Sequence, residues 1–109
     1  MKSATALKEN SRSWRRFNVL LNAKYFLEGV NWYRECVIID ISKQGASVNL
    51  PIDEKVVLGT NVILEVITKQ LENVIFKGKI VWIKQSESTF LIGIKFKKLL
   101  DFQVLGKLY

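Results

Sequence analysis

Two groups of residues carry the chemistry that this sequence can offer. The first is a pair of arginines, Arg12 and Arg16, four positions apart in a stretch without apolar periodicity. The second is formed by Asp40, Ser42 and Gly45, which follow an apolar run with the spacing DxSxxG. The planar fork of arginine can pair bidentately with a phosphate, whereas an ionised carboxylate only accepts hydrogen bonds. The two groups together favour a binding site for a polar, anionic molecule.

The second group lies on a predicted β-hairpin. An apolar run at residues 37–41 and an alternating run at residues 46–50 lie on either side of a short polar stretch that contains Gly45, a pattern typical of a hairpin. We expect Asp40 and Ser42 on one face, one pleat apart, and a positive φ at Gly45 that ends the turn. The turn would then present a carboxylate and a hydroxyl together. The alternative is that both side chains only pin the turn, as Asp and Ser commonly do.

Further segments with period-two alternation place this hairpin in a larger sheet. They are Phe17–Leu27, 61–68, 74–83 and 90–96. Short strands at this spacing predict an all-β fold, a closed antiparallel barrel of roughly six strands. Trp82 is expected in the interior, and residues 62–64 are apolar on both faces, which predicts that both faces are covered.

The C-terminal segment, residues 98–109, loses the alternation and predicts a short helix on the mouth of the barrel. Its apolar content exceeds what one helix face needs, so self-association as a homodimer is a minor alternative.

The two motifs in this order resemble those of the PilZ domain family, bacterial receptors for cyclic di-GMP. Residues 16–19, 78–82 and 93–96 also look like the family's entry into its first strand, its late strand and its closing strand. The resemblance implies a six-stranded, PilZ-like split barrel with a flexible basic N-terminal arm. It also implies that the ligand is clamped between the RxxxR arm and the DxSxxG hairpin, which changes the surface offered to a partner protein.

Each site residue receives a role from this resemblance together with its own chemistry. Arg12 and Arg16 would straddle the phosphates or a guanine, with Arg15 as an additional phosphate contact. Asp40 would accept the N1 and N2 donors of guanine. Ser42 would donate to an oxygen of the ligand, and Gly45 would keep the turn low enough for the ligand to approach. One bound ligand molecule and a stacked pair are equally consistent with these residues.

Length and charge suit a single binding domain. The 109 residues carry a net charge of +7, and residues 1–16 hold five basic side chains against one acidic one. We expect a flexible leader at residues 1–11 and a PilZ domain at 12–109. A basic leader favours an anionic partner.

Several classes of protein are disfavoured by what the sequence lacks. It has no histidine and a single cysteine, Cys36, so it offers no metal-ligand spacing, no internal disulfide and no nucleophile paired with a base. It contains neither an apolar run long enough for a membrane span nor a signal peptide. We therefore expect a cytoplasmic binding protein rather than an enzyme, with no cofactor apart from the ligand and an unidentified downstream protein as its partner. The alternatives are a ligand-independent interaction module and, less favoured because Asp40 would repel phosphates, a barrel that binds nucleic acid polymers.

Overall fold

The fold is a closed antiparallel barrel. The computed structural model describes residues 15–51 and 56–108, and its six strands are hydrogen-bonded in the order β1-β2-β3-β6-β5-β4. The elements are β1 (Phe17–Leu27), β2 (Arg34–Ile41), β3 (Gly45–Pro51), β4 (Asn61–Ile67), β5 (Asn73–Gln85), β6 (Thr89–Phe96) and helix α1 (Phe102–Leu108). The predicted all-β barrel with a short C-terminal helix is confirmed. The predicted leader, residues 1–11, lies outside the described residues, as does Arg12.

Alternating side chains from all six strands fill the barrel. In β5, for example, Phe76 and Ile80 are buried, whereas Lys77 and Lys79 between them are exposed. Ten large side chains are essentially inaccessible to solvent: Tyr25, Ile38, Ile41, Leu50, Leu64, Ile80, Ile92, Val48, Val62 and Val66. Each aliphatic side chain buried in this way contributes about 1.5–3 kcal/mol, so the period-two pattern is the main determinant of the fold.

Register shifts interrupt the alternation in three strand pairs, between Asn18 and Leu21, between Ile38 and Asp40, and between Ile80 and Trp82. The shift in β5 leaves both Val81 and Trp82 exposed. The prediction that Trp82 lies in the core is therefore wrong. Its side chain is 39% exposed, because an extra residue in one strand of a pair moves the following side chains to the other face.

Strand β4 is covered on one face only. Val62 and Leu64 are buried, but Ile63 between them is 38% exposed. The prediction that both faces of residues 62–64 are covered is therefore wrong, because the described part of the chain provides no layer outside β4. The outer face of this region consequently shows aliphatic side chains to solvent.

Helix α1 closes one end of the barrel. The Asp101 side chain accepts the backbone N–H of Val104 at 2.8 Å, which is the contact of an N-cap. Leu105 and Leu108 belong to the buried core, and the ammonium group of Lys107 lies 2.8 Å from a carboxylate oxygen in the β4–β5 turn. Among the described residues, no helix has the length and apolar content that a bilayer crossing requires.

Candidate ligand-binding site

The turn between β2 and β3 is held by Ser42. Its hydroxyl accepts the backbone N–H groups of Gln44 and Gly45 at 3.1 and 3.2 Å, and its own N–H donates to the Gly45 carbonyl at 2.8 Å. The side chain is buried. Ser42 therefore pins the turn, which was the alternative interpretation of the sequence. Its hydroxyl is directed into the turn instead of standing beside Asp40, and a contact from Ser42 to a ligand stays a prediction.

Gly45 is required for a reason that differs from the predicted one. Its φ lies outside the left-handed region, where only Gly29, Gly59 and Leu71 are found among the described residues. The predicted positive φ is therefore wrong. A Cβ at Gly45 would overlap the backbone carbonyl oxygen of Ile94. Glycine is needed because β6 approaches the start of β3 too closely for any side chain.

Asp40 and Arg16 meet on the outside of the barrel. Arg16 donates through Nη2 and Nε to Asp40 Oδ1, at 2.8 and 3.2 Å, and through Nη2 to Ser47 Oγ at 3.0 Å. The strand register explains the contact between these side chains. Asp40 on β2 lies between Ser47 on β3 and Asn18 on β1, and Arg16 is two positions before Asn18. The side chain of Arg16 is 54% exposed and that of Asp40 is 22% exposed. The two predicted motifs are thus joined by an ion pair at the surface.

Both partners of this ion pair keep hydrogen-bonding groups available. Arg16 directs both bonds with Asp40 to one oxygen, Oδ1. Among the described residues, no group donates to Asp40 Oδ2, and Arg16 Nη1 has no acceptor. A carboxylate oxygen and guanidinium N–H groups are therefore open to a molecule that arrives from solvent.

A row of side chains extends from this ion pair around the barrel. Asp40 on β2 is opposite Ser47 on β3, Ser47 is opposite Gly93 on β6, and Gly93 is opposite Trp82 on β5. A Cβ at Gly93 would overlap the Trp82 indole, so the ring lies directly on this glycine. Arg16, Asp40, Ser47, Gly93 and Trp82 are called the outer row below. It presents a cation, a carboxylate and an aromatic ring along one surface, whereas the Ser47 hydroxyl is buried and accepts a hydrogen bond from Arg16.

The sequence interpretation did not include Ser47 or Trp82 among the candidate site residues. Ser47 is one of two polar residues in β3, with Asn49, and it is Asp40's neighbour across the hairpin, which a count of the register through the turn would have shown. Trp82 had no such signal, because the register shift that turns it outward is not visible in the alternation.

The other predicted site residues lie apart from the ion pair or outside the described region. The guanidinium of Arg15 lies 5.3 Å from the centre of the Phe17 ring. Arg12 is not among the described residues, so its predicted role is untested. Burial raises the pKa of the Cys36 thiol to about 12, so this side chain is protonated at neutral pH. Within residues 15–51 and 56–108, no three acidic or sulfur side chains come together as a metal site.

Comparison with known families assigns the fold. The family model described as "PilZ domain" matches residues 10–108. The chain belongs to the PilZ domain family. The matched region contains both motifs and the whole of the barrel, so the resemblance inferred from the motifs is confirmed. No curated protein matches the chain.

Solved structures share the PilZ fold at low sequence identity. The PilZ domain of YcgR from Escherichia coli, solved with c-di-GMP, is 15% identical, with a TM-score of 0.69 over 87% of this chain and 83% of that one. The Bacillus subtilis inhibitor of motility, MotI/DgrA, is 13% identical, with a TM-score of 0.71 over 89% and 47% of the two chains. PlzA of Borreliella burgdorferi, solved in complex with c-di-GMP, is 19% identical, with a TM-score of 0.62 over 96% and 42%. This PilZ domain therefore spans less than half of two of these three proteins, and the likeness is one of fold.

Proposed function

We propose that this PilZ domain is a receptor for cyclic di-GMP, which binds on the outer row between the RxxxR segment and the β2–β3 hairpin. The observation that carries the proposal is the surface ion pair of Arg16 and Asp40, because both partners retain open hydrogen-bonding groups. Two of the structural neighbours were solved with c-di-GMP, which supports the choice of ligand.

Asp40 would select guanine. The N1 and N2 groups of guanine are adjacent donors, whereas adenine lacks this pair on its Watson–Crick edge. Oδ2 is open, and Oδ1 is already fixed by Arg16, so the carboxylate is oriented before the ligand arrives. A pre-oriented acceptor reduces the entropy lost on binding.

Arg16 would contact a phosphate or the O6 and N7 edge of guanine. More than half of its side chain is exposed, so it can reach the ligand through Nη1 without releasing Asp40. We expect Arg12 to act from the other side of the ligand and Arg15 to leave the Phe17 ring for a phosphate. Charge-assisted hydrogen bonds are about twice as strong as neutral ones and would offset the entropy of ordering this arm.

Trp82 would provide a flat surface for a guanine base. The indole lies on Gly93, at the far end of the outer row from Arg16, and it is accessible to solvent. Stacking of a base on an aromatic ring contributes about 1–3 kcal/mol. Ser42 and Gly45 would act chiefly by holding the turn that carries Asp40, with the predicted Ser42 donor as a further contact.

Ligand binding would act on other proteins by changing this surface. An arm that folds over the outer row would cover polar groups that are open without the ligand and expose its own outer side. We therefore propose an adaptor whose partner recognises the ligand-bound surface.

Isothermal titration calorimetry of cyclic di-GMP into the protein tests the proposal. We expect saturable binding near micromolar, about −8 kcal/mol, and a loss of about 1–3 kcal/mol in Arg16→Ala and in Asp40→Asn. Arg16→Lys should also bind more weakly, since lysine keeps the charge but loses the planar fork. Cyclic di-AMP should give much less heat.

Glu65→Gln is a matched control, because it makes the same carboxylate-to-amide change on β4, away from the outer row. Its affinity should equal that of the wild type. The proposal fails if folded wild-type protein, as judged by circular dichroism, releases no saturable heat, or if cyclic di-AMP binds as tightly as cyclic di-GMP.

A further inference from the structure

Four lysines lie close together on the outer face of β5 and β6 and directly after the end of β6. Lys79 is directly opposite Lys95, and the backbone N–H of Lys97 donates to the carbonyl of Lys77 at 2.9 Å. All four side chains are exposed, and none of them forms an ion pair with a carboxylate of the described residues. We call them the lysine quartet. Like charges placed opposite one another across strands repel, so a bound anion would stabilise this face.

Two apolar clefts flank Lys77 and Lys97. One cleft, of about 530 Å³, is bounded by β1 and β4 and includes Ile63. The other, of about 470 Å³, lies toward the segment that follows β6 and includes Ile75 and Leu99. Both lysines line both clefts, and all three aliphatic side chains are exposed. The surface therefore has two apolar recesses with positive charge between them.

We propose that the lysine quartet and these two clefts bind an acidic amphipathic segment of a partner protein. Carboxylates of the segment pair with Lys77 and Lys97, and its apolar side chains enter the clefts on either side. Lys95 is two residues from Gly93 on the same face of β6. A partner bound here lies beside the outer row, where it can sense whether the nucleotide site is occupied. The docking surface itself stands on its own contacts and does not require the proposed ligand.

Charge and shape favour an acidic segment of a partner over a second copy of the chain, its own leader, a nucleic acid or a membrane. A second copy of the chain would bring two lysine quartets together, and the N-terminal leader of this chain is itself basic. A single-stranded nucleic acid would need exposed aromatic stacking surfaces, whereas the exposed apolar side chains of these clefts are aliphatic and their phenylalanines are buried or half-buried. A membrane surface is engaged by apolar side chains that insert into the bilayer, whereas these recesses are concave.

The test uses a fluorescein-labelled synthetic peptide of alternating leucine and glutamate pairs, titrated with the full-length protein and followed by fluorescence anisotropy. We expect saturable binding that weakens as the salt concentration rises. A peptide with serine in place of leucine should bind at least several-fold more weakly. The double variant Lys77→Glu/Lys97→Glu should lose about tenfold or more in affinity. The matched control Lys69→Glu/Lys84→Glu changes the net charge equally at exposed sites outside both clefts and should stay within about twofold of the wild type.

Nuclear magnetic resonance locates the peptide, and the amide resonances of Ile63, Ile75, Lys77 and Lys97 should shift. The inference is overturned if the peptide does not bind, or if both double variants lose affinity equally. Tighter binding of oligothymidylate or of phosphatidylglycerol vesicles would assign the surface to phosphate polymers or lipid instead. Self-association in sedimentation that the first double variant abolishes would assign it to a second copy. A separate titration with cyclic di-GMP distinguishes failure of this inference from failure of the nucleotide receptor.

Discussion

Gly93→Ala should destabilise the barrel only when Trp82 is present. The three heavy atoms nearest to a Cβ at Gly93 all belong to the Trp82 indole, and the φ of Gly93 is outside the left-handed region. The obstacle to alanine is therefore one side chain, which can rotate away. An off-rotamer side chain costs about 0.5–1.5 kcal/mol, and exposing about 50 Å² of indole adds about 1 kcal/mol. We expect Gly93→Ala to lower the free energy of unfolding by about 1.5–2.5 kcal/mol.

In the Trp82→Ala background, Gly93→Ala should raise the free energy of unfolding instead of lowering it. Alanine restricts the unfolded chain more than glycine and stabilises a compatible position by about 0.4–1 kcal/mol. Urea unfolding of the wild type, the two single variants and the double variant, followed by circular dichroism, gives the four free energies of a double-mutant cycle. The coupling energy should be about 2–3.5 kcal/mol. Equal destabilisation by Gly93→Ala in both backgrounds would show that backbone atoms, not the indole, exclude the Cβ.

The same cycle bears on the proposed ligand site. If the indole is the surface on which a guanine stacks, Gly93→Ala and Trp82→Ala should each reduce cyclic di-GMP affinity by about 1–3 kcal/mol. The double variant should lose no more than Trp82→Ala alone, since the glycine would act through the ring. Unchanged affinity in both single variants would remove Trp82 from the site.

Three further predictions concern the hairpin and the core. Gly45→Ala should lower the free energy of unfolding by more than about 2 kcal/mol, because its Cβ would overlap the backbone carbonyl of Ile94, which cannot move aside. The control Gly106→Ala, in helix α1 with open space and no positive φ, should instead raise it by up to about 1 kcal/mol. Similar urea midpoints for the two variants would contradict this reasoning. Ser42→Ala should lower the free energy of unfolding by about 1–3 kcal/mol, because a buried N–H group and a part-buried one lose their acceptor. An unchanged urea midpoint would show that water replaces the hydroxyl. Burial raises the pKa of the Cys36 thiol from 9.0 to about 12, so the pKa is higher in the folded protein than in the unfolded chain. The protonated thiol therefore contributes fully to stability below about pH 8.5, and this contribution falls as the pH rises toward 12. Between about pH 8 and about pH 11, the urea midpoint should therefore fall more in the wild type than in Cys36→Ala. Equal falls in the two proteins would refute the raised pKa of Cys36.

Strand positions and candidate site residues could be predicted from local sequence patterns, but to different extents. Period-two alternation located the strands, with β1 at its predicted bounds and β5 within two residues, because burial on one face of a sheet demands that pattern. The RxxxR and DxSxxG spacings identified the family, and Arg16 and Asp40 are in contact although 24 residues separate them. Neither the contact between Arg16 and Asp40 nor the register of the strands follows from the alternation alone.

Three features were decided only by the tertiary structure. The register shift beside Trp82 depends on how β5 pairs with β6, and it moves an aromatic ring from the predicted core to the outer row. Glycine is required at position 45 because the backbone of β6, which is distant in sequence, lies against it. The sequence interpretation therefore attributed this glycine to a positive φ instead of to close packing. The lysine quartet exists because the pairing of β5 with β6 aligns lysines that are each ordinary in sequence.

What the sequence by itself determined is therefore the barrel, the family and the residue types available for binding. Hydrophobic periodicity and motif spacing are local properties of the chain, and they suffice for these conclusions. Which side chains face one another across the barrel is a property of strand register, and a shift of a single residue changes the face on which a side chain lies. For that reason Trp82 and the lysine quartet became visible only in the folded protein.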